Sequence, residues 1–100
     1  MGELFYPDLP KDEQQRLLGT LTKHPAACSF FSPNHQAYAE MDTAFFYCEK
    51  DTAIPLLAQE AMIGAIKQQG IPVREEYLAS GHFPTLSMPG VLADKILGLP

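Results

Sequence analysis

The sequence predicts an α/β fold: two parallel strands with flanking helices, preceded by a helical segment. Three observations carry that prediction. The run Thr43 to Cys48 is aromatic-rich and apolar at successive positions, as a strand covered on both faces must be. An amphipathic stretch follows it, bounded by Pro55 and Gly70. A second short strand, Val73 to Leu78, comes next. A strand–helix–strand unit of this kind makes parallel strands through a right-handed crossover.

Taken in chain order, "FYPDLP" is turn chemistry, with prolines flanking Asp8. A helix is expected over about Lys11 to Lys23, because Leu17, Leu18 and Leu21 share a face. Asp8 is placed near its cap, and Asp12 and Glu13 suit the positive end of the helix dipole. His24-Pro25 ends it, since the residue before proline avoids helical geometry. The stretch "FFSPNHQAYAEM" has room for one short helix after Pro33. The long helix is expected over about Pro55 to Gln69, with proline in its first turn. Leu57, Ala58, Ala61, Met62, Ala65 and Ile66 form its apolar stripe. The second strand is more polar, which places it near a sheet edge. "ASGHFPT" is a loop, and the last helix runs from about Ser87, with Pro89 in its first turn, to Leu97. The chain thus divides into a helical segment, residues 1–41, and a strand–helix–strand–helix core, residues 42–100.

Composition narrows the function classes. One hundred residues suit one modest domain, and 46% hydrophobic content argues against disorder. A net charge of −5 argues against a nucleic-acid groove, which needs a basic surface. No apolar run approaches membrane-spanning length, and no secretory signal is visible. Cys28 and Cys48 sit among apolar residues and are expected as buried thiols in a reducing, cytoplasmic setting rather than as a disulfide. Cys48, inside a buried strand, is expected to pack and not to react. His24 and His35 have no chemical context, and three histidines without ligand spacing make no zinc site. No cofactor or metal is expected.

The chemistry lies at the strand ends. Asp51 follows the first strand and His82 the second. Parallel neighbours about 4.8 Å apart deliver both to one rim, where open α/β sheets place their sites. A carboxylate bonded to one imidazole nitrogen fixes the tautomer and leaves the other nitrogen free as a base. Asp51 also suits a helix N-cap, and His82 a backbone-bonded loop histidine.

The words "YCEKDTAIPLLAQEAMI" and "ASGHFPTLSMPGVLADKI" around those residues resemble the α/β-hydrolase fold family, within it a fungal-type group. "LFYPDLPKDEQQRLL" looks like the helical lid before the family's acid-bearing strand. The resemblance covers nearly the whole chain but only the C-terminal part of the family's domain. It implies that Asp51 is the triad acid and His82 the general base. It also implies that Phe83 and Leu86 lie beside the pocket and that Ser87 caps the last helix. Gly90 stands where the family usually has an acidic residue. In the lid segment the aromatic cluster Phe30, Phe31 and Tyr38 is a candidate to line a substrate pocket, with lid-to-core packing the alternative. The family's nucleophile lies in a G-x-S-x-G turn, and none of Ser29, Ser32, Ser80 and Ser87 sits in one. The implied role is therefore to supply acid and base for hydrolysis of a small apolar ester, thioester or lactone, the serine coming from a complementary N-terminal hydrolase half. The isolated chain is not expected to be a competent serine hydrolase. Two alternatives stand beside this: a non-hydrolytic, homo-oligomeric dimerising or ligand-binding module, and an Asp–His general base for lyase, isomerase or cyclase chemistry.

Overall fold

A computed structural model of the chain describes residues 2–30 and 32–100. Its centre is a two-stranded parallel sheet with helices around it, a mixed α/β arrangement. The helices in chain order are α1 (Gly2–Phe5), α2 (Lys11–Leu18), α3 (Leu56–Gln68), α4 (Pro84–Ser87) and α5 (Pro89–Leu97). Strand β1 (Ala44–Cys48) pairs with β2 (Arg74–Leu78) in a register that puts Ala44 opposite Arg74 and Cys48 opposite Leu78. The connection from β1 to β2 runs through α3, as expected. Among the described residues, no helix is long and apolar enough to cross a membrane.

Tyr47 and Leu78 are the most deeply buried side chains of the sheet. The Tyr47 ring stacks on Tyr77 at 4.6 Å and meets Phe45 edge-on at 5.1 Å. Its hydroxyl donates to Glu75, whose other oxygen accepts from Lys67 Nζ at 2.9 Å. Tyr47, Glu75 and Lys67 line an open cleft of about 430 Å³ between α3 and the sheet. β1 is less covered than its composition suggests. Only Tyr47 is fully buried, and the other four residues are half-exposed, because a single neighbouring strand shields one edge.

Several expected boundaries move, each for a local reason. α2 stops at Leu18, not Lys23. Gly19 follows, and the Thr20 hydroxyl donates to Leu17 O at 2.6 Å, so the next turn closes on itself and Leu21 is left exposed. Pro10, not Asp8, occupies the N-cap of α2. The expected last helix is broken at Met88, whose φ of −146° and ψ of 58° lie outside the helical region that Pro89 disfavours for its predecessor. Ser87 therefore closes α4 and does not cap α5; its hydroxyl faces Phe83 O at 3.4 Å. The helix expected after Pro33 is a single 3₁₀ turn, Ala37–Ala39, and another 3₁₀ turn spans Ala26–Phe30. Cys28 lies in the latter and is exposed, not buried; Cys48 is half-buried, and both thiols are free.

The largest correction concerns α3. Its buried residues are Gln59 and Ile63, not the predicted stripe. Leu57 is 82% exposed, and Ala58, Ala61, Met62 and Ala65 also face outward. The helix is apolar nearly all round, so periodicity alone offers two candidate faces. The polar needs of the loop after β1 decide between them, as the site shows.

Candidate active site

The parallel ladder continues past the regular strands. Glu49 N–H donates to Leu78 O at 2.9 Å, and Lys50 N–H donates to Ser80 O at 2.8 Å. These bonds zip the two loops together, so the chain reaches Asp51 on one side as it reaches Gly81 and His82 on the other. His82 Nδ1 and Asp51 Oδ2 then lie 2.9 Å apart. An ionised carboxylate only accepts hydrogen bonds, so the imidazole is the donor through Nδ1–H. Nε2 is left as an acceptor.

Asp51 is 8% exposed. Its second oxygen, Oδ1, accepts from Ala53 N–H at 2.9 Å and from Ile54 N–H at 3.0 Å. The residue thus closes its own turn with one oxygen and orients the imidazole with the other. Asp51 is not the N-cap of α3, which begins at Leu56 with Pro55 as its N-cap; it closes the loop that precedes the helix.

Gln59 governs the shape of this loop. It is 3% exposed, one turn into α3. Its Oε1 accepts from Cys48 N–H at 2.9 Å. Its Nε2 donates to Cys48 O at 3.0 Å and to Ile54 O at 2.8 Å. One carboxamide therefore satisfies both ends of the segment that carries Asp51, and this is why α3 turns Gln59 inward.

The histidine loop is braced by the N-terminal segment. Gly81 N–H donates to Asp8 Oδ2 at 2.8 Å. A Cβ on Gly81 would stand 2.7 Å from both Asp8 Oδ1 and Pro7 Cδ, so only glycine allows this approach. Gln14 Nε2 holds the turn itself, donating to Tyr6 O at 2.9 Å and Leu9 O at 3.0 Å. Across the rim, the Thr52 hydroxyl lies against Glu3 O and Leu4 O at 2.6 and 2.8 Å, tying the acid loop to α1. Ser80 is fully buried, its hydroxyl donating to Gly81 O at 3.1 Å.

Two rings flank the imidazole. Phe83 meets it edge-on at 4.8 Å, and Phe5 lies tilted at 5.7 Å. About a quarter of the His82 side chain (26%) remains open to solvent. Of the expected lining residues, Phe83 is at the imidazole, and Leu86 sits exposed on α4. Tyr38 is half-buried in its 3₁₀ turn and, among the described residues, makes no ring contact with His82 or Phe83. Phe31 lies outside the described residues. Burial pushes the Cys48 thiol above its usual range; the neighbouring Ser80 hydroxyl opposes this, and the negative charges of Asp51 and Asp8 add to it. Such a thiol is held in its unreactive protonated form.

The structure brings together Asp51, His82 and Phe83, as the sequence led us to expect; the neighbouring Phe5, Asp8 and Gln59 were not foreseen there. A glutamine in the first turn of a mostly apolar helix was the one available signal for Gln59. No family model, curated protein or solved structure matches the chain.

Proposed function

We propose that this chain is the acid–base part of an α/β-hydrolase-like enzyme. Asp51 orients His82, and Nε2 of His82 deprotonates a serine that another polypeptide segment supplies. The carrying observation is the 2.9 Å contact between Asp51 Oδ2 and His82 Nδ1 at the carboxyl ends of two adjacent parallel strands. That geometry is what a triad acid and base require. In the proposed mechanism the imidazole takes the serine proton as the hydroxyl attacks the acyl carbon, then returns it to the leaving group. Asp51 stabilises the imidazolium between those transfers. Phe5 and Phe83 give the approach to His82 an aromatic wall, which favours a small apolar ester, thioester or lactone. The outward face of α3, with Leu57 and Met62 exposed, is consistent with a further segment packing there.

The test is complementation. The chain is mixed or co-expressed with a polypeptide carrying the upstream strands and a G-x-S-x-G turn, and hydrolysis of short-chain p-nitrophenyl esters, thioesters and lactones is followed. Activity is expected in the mixture alone and is lost on His82→Ala. No gain over either piece by itself would overturn the reading.

One observation favours a second reading. β1 has an open edge on the flank away from β2. A self-associating module that pairs through that edge follows from this. Sedimentation of the purified chain separates the two: a concentration-dependent dimer supports the module, and a monomer at all concentrations removes it.

A further inference from the structure

We infer that Gln59 is a positioning residue for the Asp51–His82 pair: its side-chain carboxamide sets the loop conformation in which Asp51 presents Oδ2 to the imidazole. The inference deepens the proposed function and rests on that reading for its catalytic meaning, though not for its test.

The argument is one of hydrogen-bond accounting. The segment from Cys48 to Ile54 leaves a strand and must turn before α3 can begin. Its buried backbone groups need partners. Cys48 N–H, Cys48 O and Ile54 O all find theirs on the single Gln59 side chain. Cys48 and Ile54 bracket the turn, so the carboxamide fixes the distance and direction between its two ends. Within the bracket, Ala53 and Ile54 amides converge on Asp51 Oδ1. With Oδ1 committed there, Oδ2 is the atom that faces Nδ1 of His82. The two carbonyls and one amide require two donors and one acceptor from the partner, and glutamine supplies that set at this reach. Glutamate has no donor when ionised and would face both carbonyls with negative charge. Methionine fills similar volume but satisfies none of the three groups.

The state of the imidazole reads this out in the chain alone. With ¹⁵N-labelled histidine, the ring nitrogens report the tautomer, and an Nδ1–H held by a carboxylate gives a downfield proton resonance. The unaltered chain is expected to show His82 protonated at Nδ1 with that resonance present. Gln59→Glu and Gln59→Met are expected to lose the resonance and to return His82 to the Nε2–H tautomer that free imidazole side chains favour. Ile63→Ala, one turn further along the same helix and equally buried, serves as the burial-matched control and is expected to keep the signature. Retention of the signature in both Gln59 variants, or its equal loss in Ile63→Ala, would overturn the inference.

Should the Gln59 variants not fold, the unaltered chain supplies a second measurement. The Gln59 carboxamide protons are expected to exchange slowly, with protection comparable to that of the Ala53 and Ile54 amides. Exchange at the free rate while those amides are protected would also overturn it. In the complemented hydrolase, Gln59→Glu is expected to lower turnover about 10²-fold through misplacement of the pair. An inactive mixture combined with a tautomer that still responds to Gln59 would refute the proposed function and leave the positioning role intact.

Discussion

Asp51 and His82, 31 residues apart in the chain, share a 2.9 Å hydrogen bond because the β1–β2 ladder extends through Glu49 and Lys50. The buried carboxylate divides its oxygens between backbone and imidazole. Asp51→Asn keeps an acceptor for Ala53 and Ile54 but loses the charge facing His82. We expect it to fold and, in the complementation assay of the proposed function, to lower turnover by about 10⁴-fold, as a wrong imidazole tautomer does elsewhere. Asp51→Ala strands both amides as well and should cost about 1–3 kcal/mol in urea unfolding. Equal activity of Asp51→Asn and the unaltered protein would show that the pair has no catalytic part.

Gly81→Ala should separate the N-terminal segment from the histidine loop. The added methyl would meet Pro7 Cδ and Asp8 Oδ1 at 2.7 Å. Overpacking of this kind costs roughly 1–3 kcal/mol. Urea unfolding gives the loss, and faster amide exchange at Tyr6 and Leu9 locates it; unchanged exchange there would refute the brace.

The two faces of α3 should respond unequally. Ile63→Ala is expected to destabilise by about 2–5 kcal/mol, as core truncations do. Leu57→Lys, on the exposed face, should stay within about 0.5 kcal/mol. The reverse order in urea unfolding would restore the stripe predicted from periodicity.

Stability should fall at both pH extremes through one hydrogen-bonded pair. Burial pushes the Tyr47 hydroxyl up from its ordinary 10.0, with the bond to Glu75 next in importance. A folded value above the unfolded one means that its contribution is full below about pH 10 and is lost as pH rises beyond it. The bonds from Tyr47 and Lys67 hold Glu75 below its ordinary 4.5. Its contribution is therefore present above about pH 4.5 and is lost as pH falls further. Tyr47→Phe should flatten the alkaline limb of the urea midpoint against pH; an unchanged limb would exclude the Tyr47 assignment.

The two thiols should differ in reactivity. Exposed Cys28 is expected to react promptly with a disulfide reagent in the native protein, and Cys48 only on unfolding. Two fast thiols would mean that β1 is open at its end.

The strand–helix–strand order was legible because hydrophobic runs and turn residues are local signals. Asp51 and His82 were legible because a parallel crossover puts successive strand ends on one rim. The brace by Asp8 was not, since a bond spanning 73 residues leaves no trace in spacing. Nor was the inward face of α3. Leu57, Ala61 and Met62 satisfy the helical period as well as Ile63 does, and the choice falls to a glutamine whose partners lie on the preceding loop. The length of α2 and the break at Met88 were set by single residues, Thr20 and Pro89, whose effects periodicity averages away.

Odd-numbered residues of β1 turn their backbone groups toward β2, as Thr43 and Glu49 do on either side of it. The even-numbered ones face the vacant flank. There Gln59 already occupies Cys48 on both its amide and its carbonyl. An incoming strand can therefore zip onto Ala44 and Phe46 and no further. It must peel away before the rim, so the turn that carries Asp51 stays outside any such pairing.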